Sequence, residues 1–391
     1  MSPVFRLTKL KTTIKTNTIY TNDMATTLEI AKSLLSPPGD TIQEHIDFIG
    51  MSQAELAERM GRPKEKINDI IKGREPITTA TAFQLEKVLG IPASFWLNSE
   101  KSYRKELYEL QQQEELEKKK DWLAAFPVNE MRKFGWLPDT KEKHVLVDSL
   151  LKFFCVASTK EWERIYLDEE VSVAFRVSLA HTQSPHAISA WLRRGEIQAK
   201  EIATAAFDKK KFKEALAAIK ELAFIMPDNF AQQLQNICAN CGVALVFTQS
   251  LPKASICGAT RWFHHKPIIQ LSGRYRTNDH FWFTFFHEAA HLLLHGKKDI
   301  FLENVQGTEI DQEKEEEANA FAAKILLTEN ELQQILNVAP LTEEMIHTFA
   351  DKFRTPAGVI VGRLQHLKLI PFSFGNACRQ KIDLFNEALQ Q

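Results

Sequence analysis

His287-Glu288-Ala289-Ala290-His291 sets two imidazoles and a carboxylate within five residues. The surrounding stretch, 281–295, contains no glycine or proline, is rich in leucine and alanine, and is followed by Gly296, so it reads as a helix that stops there. On a helix His287 and His291 are one turn apart on one face, close enough for both rings to reach one zinc ion at about 2.0–2.1 Å. Glu288, between them, can face an open coordination position without being a ligand. That set is suited to metal-assisted hydrolysis of an amide, with the carboxylate moving the proton. Trp282, Phe283, Phe285, Phe286, Leu292 and Leu293 predict that the helix is buried. Two histidines and a glutamate among such neighbours cost several kcal/mol unless a cation or equivalent partner compensates them. A structural histidine pair is the alternative, because the motif fixes only three positions.

A catalytic zinc takes three protein ligands and keeps one place open. The third is expected from a second helix, and 313–322, acidic at its start and apolar later, is such a helix. Glu317 shares a face with Phe321 and Lys324 and is the expected ligand, with Glu313 and Glu316 as alternatives. Asn319 is placed to orient a ligand. His295, one more turn along the first helix, is the candidate donor to a developing oxyanion, ahead of Arg274 and Tyr275. Its other reading is a C-terminal histidine that satisfies helix carbonyls and the dipole.

The elements that must hold these groups come last in the chain. Two strand-like runs, 243–247 and 267–271, precede the motif helix, and a preceding strand could bind a peptide by edge pairing. Before them, 122–226 alternates helical patterns with short breaks and carries no chemistry of its own, although 190–192 and 215–225 are amphipathic. Residues 99–121 are a charged helical connector with Leu107, Leu110 and Leu116 spaced along it, solvated or a dimer contact. No internal repeat is visible.

The 391 residues are long enough for several domains, and 44% hydrophobic with 25% charged residues is ordinary globular composition. No apolar run reaches the about 20 residues that span a bilayer, which argues against a membrane protein. The formal net charge of −1 confines any nucleic-acid binding to a local basic surface. Five scattered cysteines do not form a disulfide framework, which points to a reducing cytoplasm. Cys238 and Cys241 make a lone CxxC, read as buried structural thiols. Residues 1–27 read as a flexible basic extension, with Arg6, Lys9, Lys11 and Lys15 and no acid before Asn22. Its composition is also that of transit peptides, and Met24 is a possible start.

A second constellation lies in 28–98, which reads as compact and all-helical. Ser52 is placed to cap a helix whose core face is Leu56, Ala57 and Met60. Gly61 permits a tight turn, and Pro63 fits the first turn of the next helix. Ile67, Ile70 and Ile71 then point inward while Lys64, Lys66, Asn68 and Lys72 point out. This is the pattern of a helix-turn-helix, though a plain helical hairpin has it too.

Two resemblances sharpen the reading. The run 281–295, followed by Glu315-Glu316-Glu317-Ala318-Asn319-Ala320-Phe321-Ala322 and, later, 361–366, resembles the ImmA/IrrE family of metallopeptidases, over about 258–369. The resemblance implies zinc dependence and cleavage of a protein partner such as a repressor or toxin. Ala289-Ala290 and Thr328 depart from it, the latter where the family usually has proline. Pro37-Pro38-Gly39, 52–57, 73–78 and 95–98 resemble HigA-type antitoxins of the Xre helix-turn-helix class, over about 36–108. That implies a homodimer on a double-stranded operator, with Gln53, Arg62, Lys64, Lys66 and Asn68 at the DNA and Lys72 on phosphate. Glu65 and Asp69 weaken the basic surface, so salt-sensitive binding is expected. The expected fold is mainly α, with a five-helix helix-turn-helix domain at 28–98 and a small α+β metallopeptidase domain at 227–391. The alternative function is an antitoxin-like repressor with a structural or sensory zinc.

Overall fold

The computed structural model describes residues 23–168, 184–254, 256–263, 265–295, 301–302, 312–338 and 340–385. The chain divides into two compact units, Met1–Lys118 and Lys119–Gln391. No helix among the described residues is long and apolar enough to cross a membrane.

The first unit contains helices α1 (Asp23–Leu34), α2 (Pro38–Phe48), α3 (Gln53–Met60), α4 (Lys64–Ile71), α5 (Thr79–Leu89) and α6 (Ala93–Glu117). Ser52 caps α3, accepting from the Glu55 amide at 3.1 Å, and Gly61 ends the helix in the left-handed conformation at φ 64°. Pro63, at the N-cap of α4, starts the next helix. The stripes Leu56, Ala57, Met60 and Ile67, Ile70, Ile71 then meet in one buried core with Ile42, Ile46, Leu85 and Trp96. Each large side chain so buried contributes roughly 1.5–3 kcal/mol.

Two boundaries differ from the sequence expectation. Residues 23–27 belong to α1 rather than to an extension, while 1–22 lie outside the described residues. The expected connector is largely the distal part of α6, which starts inside the core and runs on to Glu117. Lys32 pairs with Glu114, so α1 is fastened to that distal part.

The second unit begins with α7 (Lys120–Ala124), α8 (Val128–Lys133), α9 (Lys143–Phe154), α10 (Thr159–Tyr166), α11 (Pro185–Glu201), α12 (Lys209–Ile225) and α13 (Phe230–Asn240). A mixed sheet follows, with β1 (Ala244–Phe247), β2 (Gly258–Phe263), β3 (Lys266–Leu271) and β4 (Phe301–Leu302) in the order β1-β3-β2-β4. β1 runs parallel to β3, and β2 pairs antiparallel with β3 and with β4. β1 and β3 are the expected strands. β2 was not expected, because Gly258 and Arg261 leave it without an apolar pattern, although its side chains alternate in direction as in any strand.

That alternation gives β2 two different faces. Gly258 and Thr260 adjoin the motif helix, α14 (Asn278–Leu294); the Thr260 hydroxyl donates to the Glu288 carbonyl at 2.9 Å. Arg261 points the other way, donating to the Leu192 carbonyl on α11 and to Gln270 Oε1 at 3.0 Å. Gln270, fully buried, donates in turn to the Trp191 carbonyl at 2.8 Å.

Fourteen of the seventeen α14 residues are buried, so this helix is internal rather than amphipathic. Its aromatics share a core with α12, α13 and the sheet. Helices α15 (Gln312–Leu326), α16 (Glu329–Leu336), α17 (Glu343–Phe353) and α18 (Ala357–His366) complete the unit. Thr328 is the N-cap of α16 in a full capping box with Glu331, a role for which its hydroxyl is needed and which a proline could not fill.

Candidate functional site

The helical repeat delivers both motif histidines to one point. His287 Nε2 and His291 Nε2 lie 2.9 Å apart, and both rings are buried. Opposite them stands Glu315 of α15, with Oε2 at 3.2 Å from His287 Nε2 and Oε1 at 3.3 Å from His291 Nε2. Burial pushes the Glu315 carboxyl up, but hydrogen bonds with the two imidazoles outweigh it and bring the group down to about 2. Burial moves His291 downward, toward the neutral ring that a cation needs.

These donors fit a metal ion. Two imidazole nitrogens and a carboxylate, all within 4.8 Å of one another, have the composition of a His-His-Glu site. Their mutual spacings are near the tetrahedron edge of about 3.3 Å that follows from zinc bonds of about 2.0–2.1 Å.

The third ligand position corrects the sequence reading. Glu317 does not join the cluster: it is half exposed at 55%, and its Oε2 meets His295 Nε2 at 3.0 Å. Glu313 and Glu316, the alternatives, are exposed and outside the cluster. The cause is the packing of α15 on α14. The inward face of α15 is marked by two small residues, Ala318 and Ala322, both fully buried. Glu315 precedes Ala318 by three positions and shares that face, whereas Phe321, which guided the choice of Glu317, is only partly buried, as is Ile325. Alanines that let two helices approach were the signal to follow.

His295 lies beside the cluster. Its Nδ1 meets His291 Nδ1 at 3.0 Å and its Nε2 meets Glu317. Both ring nitrogens thus stand in a line from Glu317 to His291, an arrangement suited to orienting His291. Asn319 does the same for the other imidazole, with Oδ1 at 3.0 Å from His287 Nδ1, as its position predicted. Such partners fix the ring orientation and tautomer of a metal ligand. Tyr275 stacks on His280 near the start of α14, and Arg274 beside it is exposed.

Glu288 is completely buried next to the first of the two motif histidines. Space for its side chain exists because residue 258 has none: a Cβ there would fall 2.4 Å from Glu288 Oε1 and 2.7 Å from its Cγ. Together with the Thr260 bond to its carbonyl, this makes β2 the wall against which Glu288 is set.

Residues 244–365, which contain the whole cluster, match the family model of the IrrE N-terminal-like domain, peptidase family M78. This segment is an IrrE N-terminal-like domain. The sheet, the motif helix and the Glu315 helix are thus parts of one IrrE-like domain, and α11 packs on its sheet from outside the matched range. Residues 49–96 match the helix-turn-helix family model, and α3 and α4 are its two central helices. Among solved structures, an addiction module antidote protein of the HigA family from Coxiella burnetii is 29% identical, over 22% of this chain and 92% of that one, with a TM-score of 0.20. No curated protein matches the chain.

In the helix-turn-helix domain, Lys64, Lys66 and Lys72 are exposed on or beside α4, and Asn68 is half-buried. Lys66 is paired with Glu75 at 2.5 Å, and Arg74 with Asp69 at 2.5 Å. Arg62 donates to Gln84 Oε1 at 2.6 Å, and Gln53 to Gln43 Oε1 at 2.5 Å. The surface is therefore basic at Lys64 and Lys72 and internally neutralised between them. Cys238 and Cys241 are buried and free.

Proposed function

We propose that the chain is a DNA-binding transcriptional regulator whose IrrE-like domain is a zinc-dependent endopeptidase acting on a protein partner, a repressor or a toxin. The observation that carries the reading is a buried carboxylate, Glu288, held against two imidazoles that converge with Glu315. His287, His291 and Glu315 would hold the ion. A zinc ion there supplies Lewis acidity, which acidifies water and polarises a carbonyl. Glu288 takes the proton from the attacking water and later gives it to the leaving amine. Asn319 and the His295–Glu317 pair keep the two imidazoles in place while this happens. Burial by the aromatics of α14 keeps bulk water from competing for that proton.

At the other end, we assign DNA contact to Gln53, Arg62, Lys64, Lys66 and Asn68, with Lys72 on phosphate. Dimerisation would set two such helices about 34 Å apart on an operator. The test is proteome-wide detection of new protein termini in cells making the wild type or Glu288→Gln. Termini that appear only with the wild type, from a variant that keeps its metal, support the reading; identical sets of termini sink it. A second reading is a repressor with a structural or sensory metal. The complete burial of Glu288 favours it, and it predicts no difference between those two sets.

A further inference from the structure

The second helix of a helix-turn-helix lies in the major groove with its outward residues toward base edges, and here that helix is α4. Its inward face is Ile67, Ile70 and Ile71. Each residue turns about 100° from the one before, so the direction opposite those isoleucines falls between Glu65 and Asp69. Lys64 lies to one side of that direction and Lys66 to the other. Glu65 is exposed, and the Asp69 side chain keeps 35% of its surface. The most outward part of the reading helix is thus acidic, with a lysine on either flank.

A carboxylate that approaches a duplex is repelled by the phosphates unless a nearby cation offsets it. Arg74 does so for Asp69: its Nε at 2.8 Å and Nη2 at 2.5 Å both donate to Oδ1. Because both bonds fall on one oxygen, Oδ2 is left to accept from an incoming donor. The Arg74 and Glu75 amides also donate to the Asp69 carbonyl, at 2.8 and 3.1 Å, so the loop after α4 keeps the guanidinium there. Base edges differ in what they offer such a carboxylate. In the major groove cytosine presents a donor, its N4 amino group; guanine presents two acceptors, and adenine sets an acceptor beside its donor. An acidic reading face therefore favours cytosine. Glu65 and Asp69 are about 6 Å apart along the helix, against about 3.4 Å per base step. We propose that Glu65 and Asp69 determine the sequence this domain reads. Each accepts a hydrogen bond from a cytosine N4 amino group, the two cytosines lie one or two base pairs apart, and the flanking lysines meet phosphate. The inference rests on the DNA-binding reading above, names the bases selected there, and needs nothing of the metal centre.

The experiment is selection of binding sites from a random-sequence duplex library by the full chain, as wild type, Asp69→Asn and Glu65→Gln. Thermal midpoints are measured on the same samples. The wild type should enrich a motif with two cytosines at that spacing. Asparagine and glutamine pair with adenine through N6 and N7. Each variant should therefore exchange one cytosine, a different one in each, for adenine, with base preference shifting about tenfold or more. Both variants also lose a negative charge, which raises affinity evenly across sequences; a change of base is what that effect does not produce. Glu65→Gln, at an exposed position, carries the test if Asp69→Asn does not fold. A wild-type motif without those cytosines, or an unaltered motif from either folded variant, would overturn the inference and leave DNA binding standing. Failure of the wild type to retain any duplex, even at low salt, would sink the DNA-binding reading and this inference with it.

Discussion

Gly258→Ala is the most direct probe of how Glu288 is held. The new methyl would arrive 2.7 Å from Glu288 Cγ and 2.9 Å from its Cδ. Carbon atoms rest at about 3.5–4.0 Å from one another, so the side chain must retreat by roughly 0.8 Å or more. Glu288 is fully buried, so the retreat is paid in displaced neighbours or in a tilted carboxylate. Overpacking of this kind costs about 1–3 kcal/mol of stability. A misplacement of about 1 Å at a reacting group costs on the order of a hundredfold in rate. Zinc-loaded wild type and Gly258→Ala should be compared on a fluorescence-quenched peptide library, with metal content and thermal midpoint measured on the same samples. The variant should keep its metal, because His287, His291 and Glu315 are untouched, and lose about a hundredfold in turnover. Turnover within about twofold of wild type at an unchanged midpoint would refute the argument that an empty position at 258 sets Glu288.

Other expectations concern separate parts of the molecule. Glu315→Gln should weaken metal binding beyond the about 10–100-fold expected for an orienting partner such as Asn319→Ala, whereas Glu317→Gln should stay within that range; competition against a chelating dye measures all three, and the reverse order for the two glutamates would contradict the ligand set. Lys72→Ala should lower operator affinity evenly across sequences and reduce the slope of log affinity against log salt by about one; an unchanged slope would remove Lys72 from the phosphate contacts. Cys155 is exposed while the other four cysteines are buried, and burial pushes the Cys238 thiol up, so a thiol reagent should titrate one group in the native protein; more than one fast-reacting thiol would count against the burial described.

The histidine pair was legible in the sequence because the helical repeat is written directly in its spacing, and the glycine-free apolar stretch around it left no other structure for it. The helix-turn-helix was legible for the same reason, through two isoleucine and leucine stripes with Ser52 and Gly61 at their ends. Glu315 was not legible from hydrophobicity. The buried residues that follow it on α15, Ala318 and Ala322, weigh little on any apolar scale, and the larger Phe321 drew attention to a neighbouring face. His295 was read from its place on the helix, but its role depends on Glu317 arriving from a second helix, which local spacing does not encode. β2 was missed because its two sides answer to different partners, so neither glycine nor arginine looked like part of a strand.

That two-sidedness leaves the second unit with a segment that tolerates no slippage. Losing or gaining one residue in 258–263 would exchange the sides of everything beyond it, bringing a guanidinium toward the Glu288 carboxylate and a small or aromatic group toward the amide of Gln270. Most surface loops absorb such length changes, and this strand has no equivalent freedom. Its short span is where an insertion would do the greatest harm while altering composition least.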